Sequence, residues 1–236
     1  MGGGLHGKVV EELGREISAG LHPPGTVLRI DEMERRFGIS RSVAREVVRT
    51  LASIQLVMSR KRVGVVVRPR AEWNAFDPVL IRWLLSVDRE AQLRTLAELR
   101  TAVEPVAASA AARNASDEQA AHLVGLAERM VATARAGDLA QFVDADCAFH
   151  RAVLGASGNP MFAQLHEVVG EVLRWRTGHG LMPSHPRPVA VRLHCEIAEC
   201  VRSGDGARAE EAMRELVAEA LEGTIALLGE PAAAES

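Results

Sequence analysis

The sequence predicts a mainly α chain in two parts: a small N-terminal domain of three helices and a β-hairpin, then an all-α helical bundle. Three observations predict it. Apolar residues recur at helical spacing over most of the chain, one pair of β-branched runs stands near residue 60, and the charge balance changes sign between the parts. A length of 236 residues suits two modest domains. Apolar residues at 47 % with 25 % charged residues supply real cores and exclude a disordered or collagen-like chain.

The first helix is expected over His6 to Ala19, because Val9, Val10, Leu13 and Ile17 keep helical spacing until Gly20 and the Pro23, Pro24, Gly25 run stop it. Ile30, Met33, Phe37 and Ile39 predict a short second helix beginning after Asp31 and broken at Gly38. Ser40 is a good N-cap for a third helix through Val43, Val47, Val48 and Leu51. The apolar runs Leu56 to Met58 and Val63 to Val67 predict a hairpin with Arg60, Lys61 and Arg62 at its tip. Helix, glycine turn, helix and hairpin make a winged helix-turn-helix over residues 1–70.

Pro69, Trp73, Asn74, Asp77 and Pro78 carry helix-breaking chemistry and predict a linker over 71–78. From 79 to 229 the chain reads as helices with no strand pattern. The expected segments are Pro78 to Ser86, Asp88 to Asn114, Ser116 to Ala136, Leu139 to Ser157, Pro160 to Thr177, Arg187 to Ser203 and Ala207 to Leu228. Residues 230–236 have nothing to bury and predict a disordered tail.

Residues 1–70 carry 13 Lys and Arg against 7 Asp and Glu, a balance of +6, which leaves −9 on the rest of a chain whose net charge is −3. A basic first third joined to an acidic remainder suits a reader of double-stranded DNA fused to a module that does not touch DNA, since phosphates need cations only where the duplex lies. Two ordinary solvated faces are the bland alternative. The longest apolar runs fall far short of the ~20 residues that span a bilayer, so no membrane helix is expected. The start lacks an apolar signal core, and Cys147, Cys195 and Cys200 are few and odd in number. A cytoplasmic protein without a disulfide framework is expected.

In the third helix Arg41, Arg45 and Arg49 lie four apart and share one face, with Val43, Val47 and Leu51 opposite. Ser40, Arg41, Ser42 and Arg45 then form an exposed N-terminal half suited to the major groove, where guanidinium groups meet phosphates or the O6/N7 edge of guanine. Arg60, Lys61 and Arg62, with Gly64 beside them, extend the candidate DNA-facing set onto the hairpin.

The bundle carries polar residues where apolar ones belong. Phe142, Asp146, Phe149, His150 and Val153 fall on one stripe, and His194 continues into Ile197 and Val201. Asp146 and His150 are four apart, so both can grip one metal ion, and with His194 they suit zinc, nickel or manganese completed by water. The same three residues also suit direct hydrogen bonding to an effector, or a satisfied Asp–His pair in the core. Arg100 sits among Leu93, Leu96, Val103 and Ala107, and an interior guanidinium calls for a carboxylate, either of the protein or of a ligand. Arg176 continues the stripe of Phe162, Leu165, Val169 and Leu173, and Trp175 beside it suits the wall of a sugar-sized pocket; His166 fits surface and pocket alike.

The run from Gly25 to Leu28, the Phe37 to Glu46 segment with its Ile39-Ser40-Arg41 and Arg45-Glu46 core, and the hairpin ending at Val67 together resemble the winged helix-turn-helix of GntR-type transcriptional regulators. The rest of the chain resembles the FCD ligand-sensing domain of the FadR subfamily. Asp146 and His150, the Ser157 to Pro160 turn, His194 with Ile197, then Gly204, Asp205, Ala212 and Met213 carry that likeness. The stretch from Arg62 to Trp83 is similar to the galactonate-responsive branch. Two departures are Gln55, where glycine is common, and Arg29, where proline is common. The resemblance implies a homodimeric repressor that reads a palindromic operator and answers to a small carboxylate such as an aldonate; with the stripe reading, that acid would enter the bundle and pair with Arg100 and the metal or trio, Trp175 and Arg176 being further effector candidates. It also implies a fourth metal-ligating histidine twenty-two residues after His194, and that position is Leu216.

An enzyme is the alternative reading, since a carboxylate with two histidines also describes a metal-dependent hydrolase site. The sequence shows no HExxH, phosphate loop or GxSxG elbow beside the trio. A purely architectural DNA binder has no use for polar groups inside a second domain. The linker from Arg68 to Pro78 is where effector and DNA sites would be coupled.

Overall fold

A computed structural model describes residues 4–182 and 186–229, so the expected tail at 230–236 lies outside the described residues. The chain forms two compact units that meet between Arg89 and Glu90. The first contains α1 (Leu5–Ser18), β1 (Val27–Leu28), α2 (Ile30–Phe37), α3 (Arg41–Ser53), β2 (Val57–Arg60), β3 (Gly64–Val67), a single 3-10 turn over Arg70–Glu72, and α4 (Pro78–Val87). The strands form one antiparallel sheet in the order β1-β3-β2, with Val27 opposite Val66 and Val57 opposite Val67.

The helices stop where local chemistry stops them. Gly38 takes φ +61 to end α2, and the Asp77 carboxylate accepts from the Val79 amide at 2.9 Å to start α4, with Pro78 in the first turn. Val10, Leu13, Ile17, Leu51, Leu56, Leu80 and Trp83 are buried in one core.

Packing takes α4 into this unit, contrary to the boundary expected over 71–78. α4 lies on α1, and the physical reason is Gly14: a Cβ there would stand 2.2 Å from Cη2 of Trp83, so only glycine lets the fully buried indole rest on α1. The β1 strand, absent from the sequence reading, is two residues long and exists through its pairing with β3.

The second unit holds α5 (Arg89–Asn114), α6 (Asp117–Ala136), α7 (Leu139–Ala156), α8 (Pro160–Gln164), α9 (His166–Gly178), α10 (Pro188–Ser203) and α11 (Gly206–Gly229). Helices α6, α7, α10 and α11 enclose a core that includes Leu123, Met130, Phe142, Phe149, Leu193, Ile197, Met213 and Leu216. The single helix expected over Pro160 to Thr177 divides at Leu165. There the His166 ring pairs through Nδ1 with the Ala163 carbonyl at 2.7 Å, taking an acceptor that a continuous helix would need. No helix among the described residues is long and apolar enough to cross a membrane.

Candidate functional site

In the first unit α3 is two-faced. The Ser40 hydroxyl accepts from the Val43 amide at 3.4 Å and sets the helix start; Ala44, Val47, Val48 and Leu51 are buried, while Ser40, Arg41, Ser42, Arg45 and Arg49 are exposed. Val43, expected on the packed face, is half-buried at its edge. Arg41 and Arg45 have no hydrogen bond or ion pair among the described residues, which leaves both guanidinium groups available, whereas Arg49 pairs with Glu46 at 2.6 Å. Arg60, Lys61, Arg62 and Gly64 are exposed on the hairpin, and Arg62 adopts φ +65 at the turn.

A cation outside that set fixes the scaffold. Arg36 of α2 reaches Glu12 and Glu16 of α1, at 2.8 Å from Glu12 Oε1 and 2.8 Å from Glu16 Oε2. The Arg36 hydrogen bond outweighs burial and, with His22 assisting, holds the Glu16 carboxyl down at about 2.

In the second unit the structure brings Asp146, His150 and His194 together. One ligand atom from each lies within 4.8 Å of the others, and all three residues are buried. Asp146 Oδ1 is 3.1 Å from His194 Nε2 and 3.3 Å from His150 Nε2. The far nitrogens are also engaged: His194 Nδ1 is 2.7 Å from the Ala190 carbonyl and His150 Nδ1 is 2.5 Å from Glu104 Oε2. The second contact is a close charge pair without in-line hydrogen-bond geometry.

Each ring thus faces oxygen acceptors on both sides. Nε2 of each ring, beside Asp146 Oδ1, is the atom placed to ligate a cation shared with that carboxylate. That donor set, with His194 Nδ1 held by the Ala190 carbonyl and a carboxylate oxygen close to His150 Nδ1, fits a divalent metal ion. Burial pushes the His150 imidazole down, but the Glu104 charge and the contacts with Asp146 and Glu104 outweigh it and raise it to about 9. Burial pushes the Asp146 carboxyl up, yet the two histidines hold it well below the usual carboxylate range. Leu216, at the position where the family resemblance implies a fourth histidine, is part of the apolar core.

Glu104 is the residue the sequence reading missed. It is 1 % exposed, and it answers Arg100 with Oε1 2.5 Å from Nε and Oε2 3.2 Å from Nη2. Burial pushes the carboxyl up, and the Arg100 and His150 charges bring it down to about 2. The available signal was the spacing of four between Arg100 and Glu104, which puts them on one helical face.

Arg100 and Arg176 line one small cavity of about 20 Å³ with Val172, Val217, Leu221 and Thr224, room for about one water. Arg176 is only 8 % exposed and its Nε has no partner. Burial first, and then the Arg100 charge, lower its guanidinium to about 10. Trp175, expected to wall the same pocket, does not line this cavity; it is buried with its ring stacked on His179 at 4.1 Å. His166 is half-buried and pairs with Ala163 and Glu167, away from the cavity lining. Glu104 is engaged by Arg100 and His150 and Asp146 by the two imidazoles, so the hydrolase alternative gains no free general base here.

A two-faced arginine helix with a basic wing, in a chain whose second unit is a helical bundle that buries a polar cluster, defines a DNA-binding regulator. Residues 5–67 match the bacterial regulatory proteins of the gntR family and residues 95–219 match the FCD domain, and the chain belongs to this GntR family of transcriptional regulators, in its FCD-containing form. It is 30 % identical over 219 residues to the galactonate operon transcriptional repressor of Escherichia coli (strain K12), covering 89 % of this chain and 93 % of that protein. It is 31 % identical over 212 residues to a probable D-xylose utilization operon transcriptional repressor of Paenarthrobacter nicotinovorans, covering 89 % and 84 % respectively. The solved structure of Lar, described as controlling expression of the Listeria monocytogenes agr system, superposes with a TM-score of 0.62 at 20 % identity. That match covers 96 % of this chain and 99 % of Lar, a likeness of fold.

Proposed function

We propose that this regulator is a cytoplasmic homodimeric repressor whose operator binding is released by a small carboxylate, a sugar acid such as an aldonate being the favoured class. The observation that carries the acid is Arg176: a buried guanidinium with an unpartnered Nε, lining a cavity with Arg100, is a receptor waiting for an anion. The names of the galactonate and xylose relatives support a sugar-derived effector. In this reading Ser40, Arg41, Ser42 and Arg45 enter the major groove of one half-site, and Arg60, Lys61, Arg62 and Gly64 follow the neighbouring backbone. Asp146, His150 and His194 are the residues that would hold a divalent metal such as zinc, nickel or manganese, which when bound supplies a Lewis-acidic seat for an effector oxygen.

The cavity as it stands is too small for a six-carbon acid, so the acid must favour a more open bundle; release of DNA follows only if that state positions the reading heads of the dimer differently. Fluorescence anisotropy on DNA from upstream of its own gene, titrated with D-galactonate, D-gluconate and L-lactate at fixed salt, tests this. One acid is expected to release sequence-specific binding. Arg45→Ala is expected to abolish DNA binding with acid binding intact, and equal loss of both would contradict the division of labour. DNA binding unmoved by any of the acids would overturn the sugar-acid assignment.

A further inference from the structure

Glu104 links the arginine cavity to the histidine trio. Its two oxygens contact Arg100, which lines the cavity, and Oε2 lies 2.5 Å from Nδ1 of His150, which belongs to the trio. Arg100 Nη2 in turn stands 3.5 Å from His150 Nε2, the nitrogen that faces Asp146. A single buried carboxylate thus contacts a guanidinium and an imidazole at once.

We propose that Glu104 is a positioning residue that couples the two halves of the buried site: it holds His150 for a divalent cation and at the same time withholds Arg100 from an anion. The proposal rests on the reading of the bundle as an acid-responsive site. Its two arms have opposite signs. A carboxylate charge 2.5 Å from Nδ1 raises the electron density of the imidazole and the basicity of Nε2, which favours a metal ion beside Asp146 and His194. The same carboxylate engages Nε and Nη2 of Arg100, and an incoming carboxylate has to compete for those donors. Loss of the Glu104 charge therefore weakens the cation site and strengthens the anion site. A side chain that only filled space would move both the same way.

The test uses the full chain, stripped of metal by dialysis against a chelator that is then removed. Zinc affinity is measured by competition with a chromophoric chelator, and acid affinity of the metal-free protein by calorimetric titration with D-galactonate, D-gluconate and L-lactate. Glu104→Gln is expected to lower zinc affinity by about 10- to 100-fold and to raise acid affinity by about tenfold. If that variant unfolds by far-UV circular dichroism, the charge-balanced pair Glu104→Gln with Arg100→Gln carries the test. It should show the same loss of zinc affinity without the gain for acid. Both affinities moving in one direction, neither moving, or the double variant keeping wild-type zinc affinity would overturn the coupling. A wild-type chain that takes up neither zinc nor any of the three acids would overturn the acid-responsive reading itself, and the coupling with it.

Discussion

Arg176→Met tests the central electrostatic claim. The wild-type guanidinium is 8 % exposed, its Nε is unpartnered, and burial has brought its pKa down to about 10. Keeping that group charged at pH 7 costs about 3 kcal/mol relative to water. Methionine retains most of the aliphatic stem, removes the charge, and leaves a small void at the guanidinium position that costs about 1 kcal/mol. The metal-free, acid-free variant should therefore be more stable than the wild type by about 2 kcal/mol, raising Tm by about 4–8 °C. Differential scanning calorimetry reads this directly. Added acid at about a hundred times its Kd should stabilise the wild type by about 2.7 kcal/mol and leave the variant where it was. A Tm that falls on substitution would mean that Arg176 already has its counter-charge, and an undiminished acid response would mean that the anion sits elsewhere.

Three further outcomes follow from the first unit. Gly14→Ala drives a Cβ to 2.2 Å from the Trp83 indole and should destabilise the α1–α4 packing by about 1–3 kcal/mol, seen as an earlier tryptophan fluorescence transition; wild-type melting would show that α4 does not rest on α1. Gln55 holds φ +66 with its side chain exposed, so Gln55→Gly should stabilise this unit by about 1 kcal/mol in urea melts without changing DNA affinity, and no gain would mean the strain is relieved in solution. Arg36 depresses the Glu16 pKa to about 2, so the contribution of this carboxylate is complete above about 4.5 and disappears as pH falls toward 2. With allowance for the solvent-exposed Arg36, Glu16→Gln should cost about 1–2 kcal/mol at pH 7 and progressively less in that window; a pH-independent gap would refute the pairing.

The parts of the fold that were legible in the sequence are those set by neighbours along the chain. Ser40 as N-cap, the Gly38 stop, the basic hairpin and the long bundle helices all rest on periodicity and capping within a few residues. What was missed depends on distant partners. β1 is marked only by Val66 and Val65 across the sheet, and α4 is assigned to the first unit by Gly14, more than sixty residues before Trp83. The polar site was half legible. Asp146, His150 and His194 stand out because charged residues interrupt apolar stripes, but Arg100 drew attention to itself and away from Glu104, whose depth comes from packing against other helices. The expectation for Trp175 was also local in origin. Adjacency to Arg176 in sequence turns its ring about 100° away around the helix, and the ring stacks on His179 one turn further on.

The distribution of indoles gives this protein a built-in optical division. It contains no tyrosine and three tryptophans, with Trp73 and Trp83 in the first unit and Trp175 in the second. With Trp73 and Trp83 replaced by phenylalanine, all emission excited at 295 nm would come from an indole one residue from Arg176 and stacked on an imidazole. Changes in the second unit would then be visible in real time without a dye, while the complementary Trp175→Phe protein would report the DNA-reading unit alone.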